Sequence, residues 1–195
     1  QVALGVNATP SAQGARKVVV VPVEDERGLY YFNWVQDNLA KVTKATGGRV
    51  AYVYVPNTTT LGHTYFKRYF YPQADKDAII VDERFNGGGS AADYIIDVLQ
   101  RDFDGYFNNV AGDRVPFTSP AAGIWGPKVM IINEFAGSGG DAMPWYFHRF
   151  GVGKLIGKRT WGGLVGISGN ARLVDGGYIS VPRFGIFDEN EKWII

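Results

Sequence analysis

A serine set among glycines, on the crossing from a strand to a helix, is the feature that most constrains this chain. The stretch is Asn133-Glu134-Phe135-Ala136-Gly137-Ser138-Gly139-Gly140-Asp141. Before it, the branched apolar run Lys128-Val129-Met130-Ile131-Ile132, bounded by Gly126-Pro127, reads as a buried strand. After it, Ala142 to Phe150 carries Trp145, Phe147 and Phe150 and stops at Gly151, the pattern of a short packed helix. Ser138 therefore falls at the positive end of a helix, where main-chain N–H groups are free, beside glycines that permit backbone angles other residues resist. A nucleophile is mounted in this way, and so is an ordinary helix cap beside flexible glycines; an isolated G-S-G-G leaves both open.

A second turn of the same kind bears on the choice. Ala78-Ile79-Ile80-Val81 reads as another apolar strand, followed by Asp82 to Asn86, then Gly87-Gly88-Gly89-Ser90, then a helical pattern carrying Tyr94, Ile95, Val98 and Leu99. Two strand–glycine–helix turns can meet at one edge of a parallel sheet, where such folds place their sites. The N–H groups of Gly89 and Gly139 would then serve as an oxyanion hole for acyl transfer. The alternatives for Gly87–Gly89 are a plain turn or a phosphate cradle, though the Lys followed by Ser or Thr that a phosphate loop uses is missing.

The 195 residues suffice for one domain with a sizeable core, and 46% hydrophobic with 14% aromatic residues is the composition of a soluble globular domain. A net charge of +1 with interspersed signs gives no electrostatic case for nucleic acid or an anionic membrane. No cysteine is present, which removes disulfides and thiol chemistry. His63 and His148 lack the carboxylate spacing a metal centre would need, so neither a metal nor another cofactor is expected. No apolar run approaches the roughly 20 residues that span a bilayer. Gln1 is no initiator and no leader pattern precedes the first strand, so a piece of a longer chain is expected, with its compartment open.

Strands are expected at Val2–Val6, Lys17–Val23 and Arg49–Val55, and helices at Asp25–Thr46 and within Tyr65–Tyr71. The Ala78 strand and a Ser90–Asp102 helix follow. Residues 104–126 are irregular, as connections that shape binding sites often are. Short strands are expected near Gly151–Gly157, Leu164–Ile167, Ala171–Val174, Tyr178–Val181 and Phe184–Phe187. Alternating strands and helices followed by hairpins imply an α/β core with an antiparallel extension.

Four segments taken together carry a family resemblance: Gly48 to Pro56; Ile80-Val81-Asp82 with Asn86 to Gly89; Asn133 to Asp141; and Gly153-Lys154-Leu155-Ile156-Gly157-Lys158-Arg159-Thr160-Trp161-Gly162-Gly163. From about Glu24 to Ile195 the chain resembles the catalytic domain of the tricorn-type serine peptidases, within the group of the carboxyl-terminal processing proteases. The resemblance implies a crotonase-like or ClpP-like fold, a parallel sheet flanked by helices with an antiparallel extension. It also implies hydrolysis of short peptides and hexameric assembly. Residues 1–23 resemble the tail of a PDZ-like domain, leaving 24–195 as the catalytic core. By position, Ser138 matches the nucleophile, Gly89 and Gly139 the oxyanion donors, and Gly166-Ile167 a strand edge that pairs with substrate. Phe107 matches a primary-pocket position that is acidic in tricorn, and an apolar lining there favours apolar or small side chains.

The resemblance also implies what this chain does not carry. The family's general-base histidine precedes the PDZ-like segment, and its supporting glutamate falls just beyond Ile195; Glu189 and Glu191 do not align with it. His63 lies elsewhere in the motif order. His148, ten residues after Ser138 on one helix, is about 15 Å away at 1.5 Å per residue, too far to act as the base. Three rival readings remain. A Ser–Lys dyad would place lysine in the turn Thr160-Trp161-Gly162-Gly163, where glycine stands, with Lys154 and Lys158 displaced. A crotonase-type thioester enzyme would need a basic cluster for nucleotide phosphates. A non-catalytic ligand- or peptide-binding module needs no base at all. Trp161 is expected to pack beneath the nucleophile helix, and Asp141 to be a first-turn acid with no chemistry assigned.

Overall fold

The computed structural model describes residues 1–112, 114–167 and 172–194, in two compact units, Gln1–Asp37 and Asn38–Ile195. In the first unit β1 (Val2–Val6) pairs antiparallel with β2 (Arg16–Val20), Val2 opposite Val20 and Val6 opposite Arg16. Their loop closes on Asn7, whose amide donates to the carbonyls of Ser11 and Gln13. The unit boundary falls within α1 (Arg27–Thr46), whose start is fixed by the Asp25 carboxylate accepting the Arg27 N–H at 2.9 Å. Leu29 and Phe32 of α1 are exposed.

The second unit continues with β3 (Val50–Tyr54), α2 (Thr60–Phe70), β4 (Ala78–Asp82) and α3 (Ala92–Leu99). A small hairpin follows, β5 (Gly105–Phe107) with β6 (Phe117–Ser119), then β7 (Lys128–Ile132), α4 (Gly139–Arg149) and β8 (Lys154–Gly157). β3, β4, β7 and β8 form one four-stranded parallel sheet in that order, each crossover carrying a helix. Such strands are apolar along their length because helices cover the sheet. Val53, Val81, Met130 and Leu155 lie side by side across the sheet, and the first three are wholly buried. Phe66 and Phe70 of α2, Ile95, Ile96 and Leu99 of α3, and Met143 and Phe147 of α4 join them in one core. Each such side chain contributes about 1.5–3 kcal/mol on leaving water.

The antiparallel extension is smaller than the sequence suggests. β9 (Val165–Gly166) pairs with β10 (Phe184–Gly185), each two residues long. The strand expected at Tyr178–Val181 reduces to a single bridge between Tyr178 and Arg172; Ala171 of the strand expected before it lies outside the described residues. Residues 175–177 form a turn in which Asp175 accepts the Gly177 N–H. Among the described residues, no helix is long and apolar enough to cross a membrane.

Candidate active site

Three carboxyl-terminal ends of adjacent parallel strands converge on one place. The loop after β3 brings Thr58, that after β4 brings residues 83–91, and that after β7 brings residues 133–138. Main-chain bonds stitch them together: Thr58 donates to the Gly88 carbonyl at 2.8 Å and accepts from the Ala91 N–H at 2.6 Å, while the Gly137 N–H donates to the Asn86 carbonyl at 3.1 Å. Asn133 adds a side-chain link, its Oδ1 accepting the Phe85 N–H at 2.9 Å. The contact leaves no room for side chains at the crossing. A methyl on Gly139 would overlap Thr58 Oγ1 and the Gly89 carbonyl, and one on Gly88 would stand 2.7 Å from Ser138 Cβ.

The strained residue of the turn is the serine itself. Ser138 has φ 57° and ψ −115°, a conformation side-chain-bearing residues avoid, whereas Gly137 and Gly139 have no positive φ. The flanking glycines thus serve close approach, Gly137 to the Trp161 ring and Gly139 to Thr58, rather than backbone freedom. Strain of this kind costs on the order of 1–3 kcal/mol and persists only where surroundings enforce it. Here Asp141 enforces it. Its buried carboxylate accepts the Ser138 N–H at 2.6 Å through Oδ2 and the Gly162 N–H at 2.7 Å through Oδ1, fastening the 160–163 turn to the start of α4. Trp161 is tied to the same place by its N–H, which donates to the Ala136 carbonyl at 2.8 Å, yet it is 72% exposed rather than packed beneath the helix.

Ser138 is half-buried at the wall of a cavity of about 400 Å³. Gly89, Gly139 and Gly166 line the same cavity, with a largely apolar remainder that includes Ala142, Tyr146, Leu164, Phe184 and Ile186. Neither the Gly89 nor the Gly139 N–H donates to an acceptor among the described residues. Gly166 lies under the Phe184 ring, and its carbonyl accepts the Arg183 N–H at 2.7 Å, so one side of β9 is already paired. Phe107 and Ile167 are not brought to this cavity: Phe107 lies exposed on β5, stacked on Phe117 at 5.3 Å, and Ile167 is exposed just past β9.

Asp93 and Tyr146 are the titratable side chains that line the cavity. His63 lines an adjoining recess with Thr59, Thr60 and Tyr94, and His148 lines a separate one with Arg159 and Thr160. Lys158 pairs with Glu134 at 2.7 Å, which holds its ammonium above the usual lysine range and the carboxyl below its own. Glu189 pairs with Arg149. Among the described residues, no cluster of acids and histidines could hold a metal.

A buried polar layer lies behind the turn. Asp82, wholly buried, accepts the Tyr52 hydroxyl at 2.7 Å and is gripped by the Arg84 guanidinium at 2.6 Å. Burial and the Asp82 carboxylate push the Tyr52 phenol well above its ordinary value. Glu83 is wholly buried with both oxygens unpartnered, and burial first, then the charges of Asp141 and Asp82, push its pKa well above the carboxylate range. Sequence reasoning missed Thr58 and Glu83 altogether. It could have found Asp141's grip, since an acid three residues after a helix-capping serine is the spacing that reaches back to the cap.

A parallel α/β sheet with a strained serine and two unpaired amides at its carboxyl edge defines a hydrolase-like class of site. Residues 49–195 match the family model described as peptidase family S41, and the chain belongs to that family. It is 37% identical over 172 residues to "Tricorn protease" of Thermoplasma acidophilum, covering 88% of this chain and 16% of the relative. It is 35% identical over 186 residues to "Tricorn protease homolog 1" of Streptomyces coelicolor, covering 95% and 17%. The crystal structure of the tricorn protease superposes with a TM-score of 0.83 at 35% identity, over 90% of this chain and 17% of that one. The chain thus corresponds to about a sixth of these relatives, and its fold is that of the matching tricorn domain.

Proposed function

We propose that this chain is the nucleophile-bearing part of a tricorn-type serine peptidase that hydrolyses peptides. The observation that carries the reading is Ser138 in its strained turn, facing a cavity it shares with two unpaired main-chain donors. The Ser138 Oγ attacks the scissile carbonyl carbon, the carbonyl oxygen becomes an oxyanion held by the N–H groups of Gly89 and Gly139, and the amine leaves to give an acyl-enzyme that water hydrolyses. One such donor is worth about 10²–10³ in rate. The serine proton needs an acceptor; none of the described cavity residues is a histidine or lysine, and the family resemblance puts the base outside this chain.

Preference for apolar or small substrate side chains, expected through Phe107, is better supported by Ala142, Leu164, Phe184 and Ile186 in the cavity wall. Gly166 and Ile167 remain the proposed strand edge for substrate, on the side of β9 away from β10. A PDZ-like origin for residues 1–23, the catalytic core at 24–195 and hexameric assembly belong to the same reading and rest on the family resemblance. The missing base favours one other reading, a binding module that holds peptides without cutting them. Fluorophosphonate labelling of the parent protein separates the two: Ser138→Ala is expected to abolish labelling, and undiminished labelling of that variant rejects Ser138 as the nucleophile.

A further inference from the structure

Glu83 is the anomaly of this site. It opens the turn after β4, its main-chain N–H donates to the Ile131 carbonyl and its carbonyl accepts the Asn86 N–H, so its position is fixed by β7 on one side and by its own loop on the other. Asn86 in turn holds the Gly137 N–H, one residue before the serine. The Glu83 side chain is 0% exposed, and no described donor reaches either carboxyl oxygen. An isolated carboxylate is too costly to bury; such a group stays neutral instead.

The charged groups around it explain why neutrality matters. From α4 comes Asp141 and from its own turn Asp82, which is itself bound by Arg84 and by Tyr52 of β3. Asp82 is compensated by the Arg84 guanidinium and the Tyr52 hydroxyl. Asp141 makes no ion pair among the described residues, although Arg159 and His148 line the same recess; its oxygens take the amides of Ser138 and Gly162. With no described donor on either oxygen, the buried Glu83 carboxyl keeps its proton and adds no second negative charge to that of Asp141.

We propose that Glu83 is a positioning residue for the Ser138 turn: as the neutral acid it leaves Asp141 to carry the charge, and so leaves both Asp141 oxygens on the Ser138 and Gly162 amides. Ionising Glu83 brings a second negative charge beneath the turn and loosens that grip. The catalytic side of this inference rests on the nucleophile reading above; the hold on the turn does not.

The test reads the turn directly. NMR of the chain labelled with ¹³C in its glutamate carboxyls and with ¹⁵N follows the Glu83 carboxyl and the Ser138 and Gly162 amides through a pH titration. The expected result is a protonated Glu83 at pH 7 and amide shifts that follow its midpoint, absent in Glu83→Gln. An ionised Glu83 at pH 7, amides that ignore its titration, or the same amide titration in Glu83→Gln overturns the proposal. Should Glu83→Gln fail to fold, the coincidence or divergence of midpoints in the unaltered chain decides alone. In the parent protein, fluorophosphonate labelling is expected to fall about tenfold per pH unit above that midpoint, as a single ionisation dictates, and to lose this limb in Glu83→Gln. Amides that follow Glu83 in a protein that never labels at Ser138 reject the nucleophile and leave the positioning role standing.

Discussion

Ser138 carries a conformation that a glycine would adopt at little cost, and this separates strain from chemistry. Ser138→Gly should raise stability by about 1–2 kcal/mol in denaturant unfolding, through relief of the positive φ, whereas Ser138→Ala should leave stability nearly unchanged; both should abolish labelling. Equal stabilities for the two variants would mean the turn is unstrained. Glu83 gives the second prediction at this scale. Its folded pKa lies above the ordinary 4.5, so the unfolded chain releases the proton first. Stability is therefore full below about pH 4.5 and falls as pH rises from there through the folded value, by up to about 1.4 kcal/mol per pH unit. Glu83→Gln should flatten that slope in thermal unfolding and stabilise the protein at neutral pH. The serine was legible in the sequence because glycines and an apolar strand frame it. Glu83 was not, because a glutamate beside an Asp and an Arg reads as surface, and nothing local in the sequence marks its burial.

The elements that repeat an apolar pattern were legible, and those that rely on distant contacts were not. β3, β4 and β7 follow from their apolar runs because both faces of a parallel sheet are covered. α2 starts five residues before the expected Tyr65. Its cap is Thr59, whose Oγ1 accepts the Leu61 N–H, and Gly62, which reads as a breaker, is there because a methyl would press on Asn57. β9 and β10 fall within the expected Leu164–Ile167 and Phe184–Phe187 but hold only two residues each. The helix that matters most is α4, fastened at its start by Asp141. Asp141→Ala removes the acceptor for two amides, so a loss of about 2–4 kcal/mol is expected in chemical denaturation, a cap of ~1 and a deprived N–H of ~1–3. Hydrogen exchange should quicken at Ser138 and Gly162 together; faster exchange at only one of them would mean the carboxylate does not bridge them.

At the scale of the molecule, the parallel sheet and the edge that holds the site follow from the alternation of strands and helices, and the cavity at the carboxyl ends of β4 and β7 is where such a sheet offers one. Its wall was not legible. The short strands that carry Leu164, Phe184 and Ile186 were expected, but nothing local says that their pairing brings these side chains to the cavity, while Phe107, singled out by resemblance, lies on a hairpin away from it. None of the described cavity-lining residues is a histidine or lysine, and the proposed reading, with its base outside this chain, has a kinetic consequence. Labelling of the 195-residue chain should be slower than that of its parent by on the order of 10⁴-fold or more, the scale on which a triad fails without its base. Parity between the two would place the proton acceptor inside this chain.

The mutual clearance between Gly88, Gly89 and the Ser138 turn reaches beyond catalysis. Each loop is the mould in which the other is cast, so neither can be redesigned or shuffled alone. A library that randomises one and keeps the other should return insoluble protein almost everywhere, and the survivors should be those that spare Gly88, Gly89 and Gly139 at the seam. Grafting this chemistry onto another sheet means transplanting both loops as one joint.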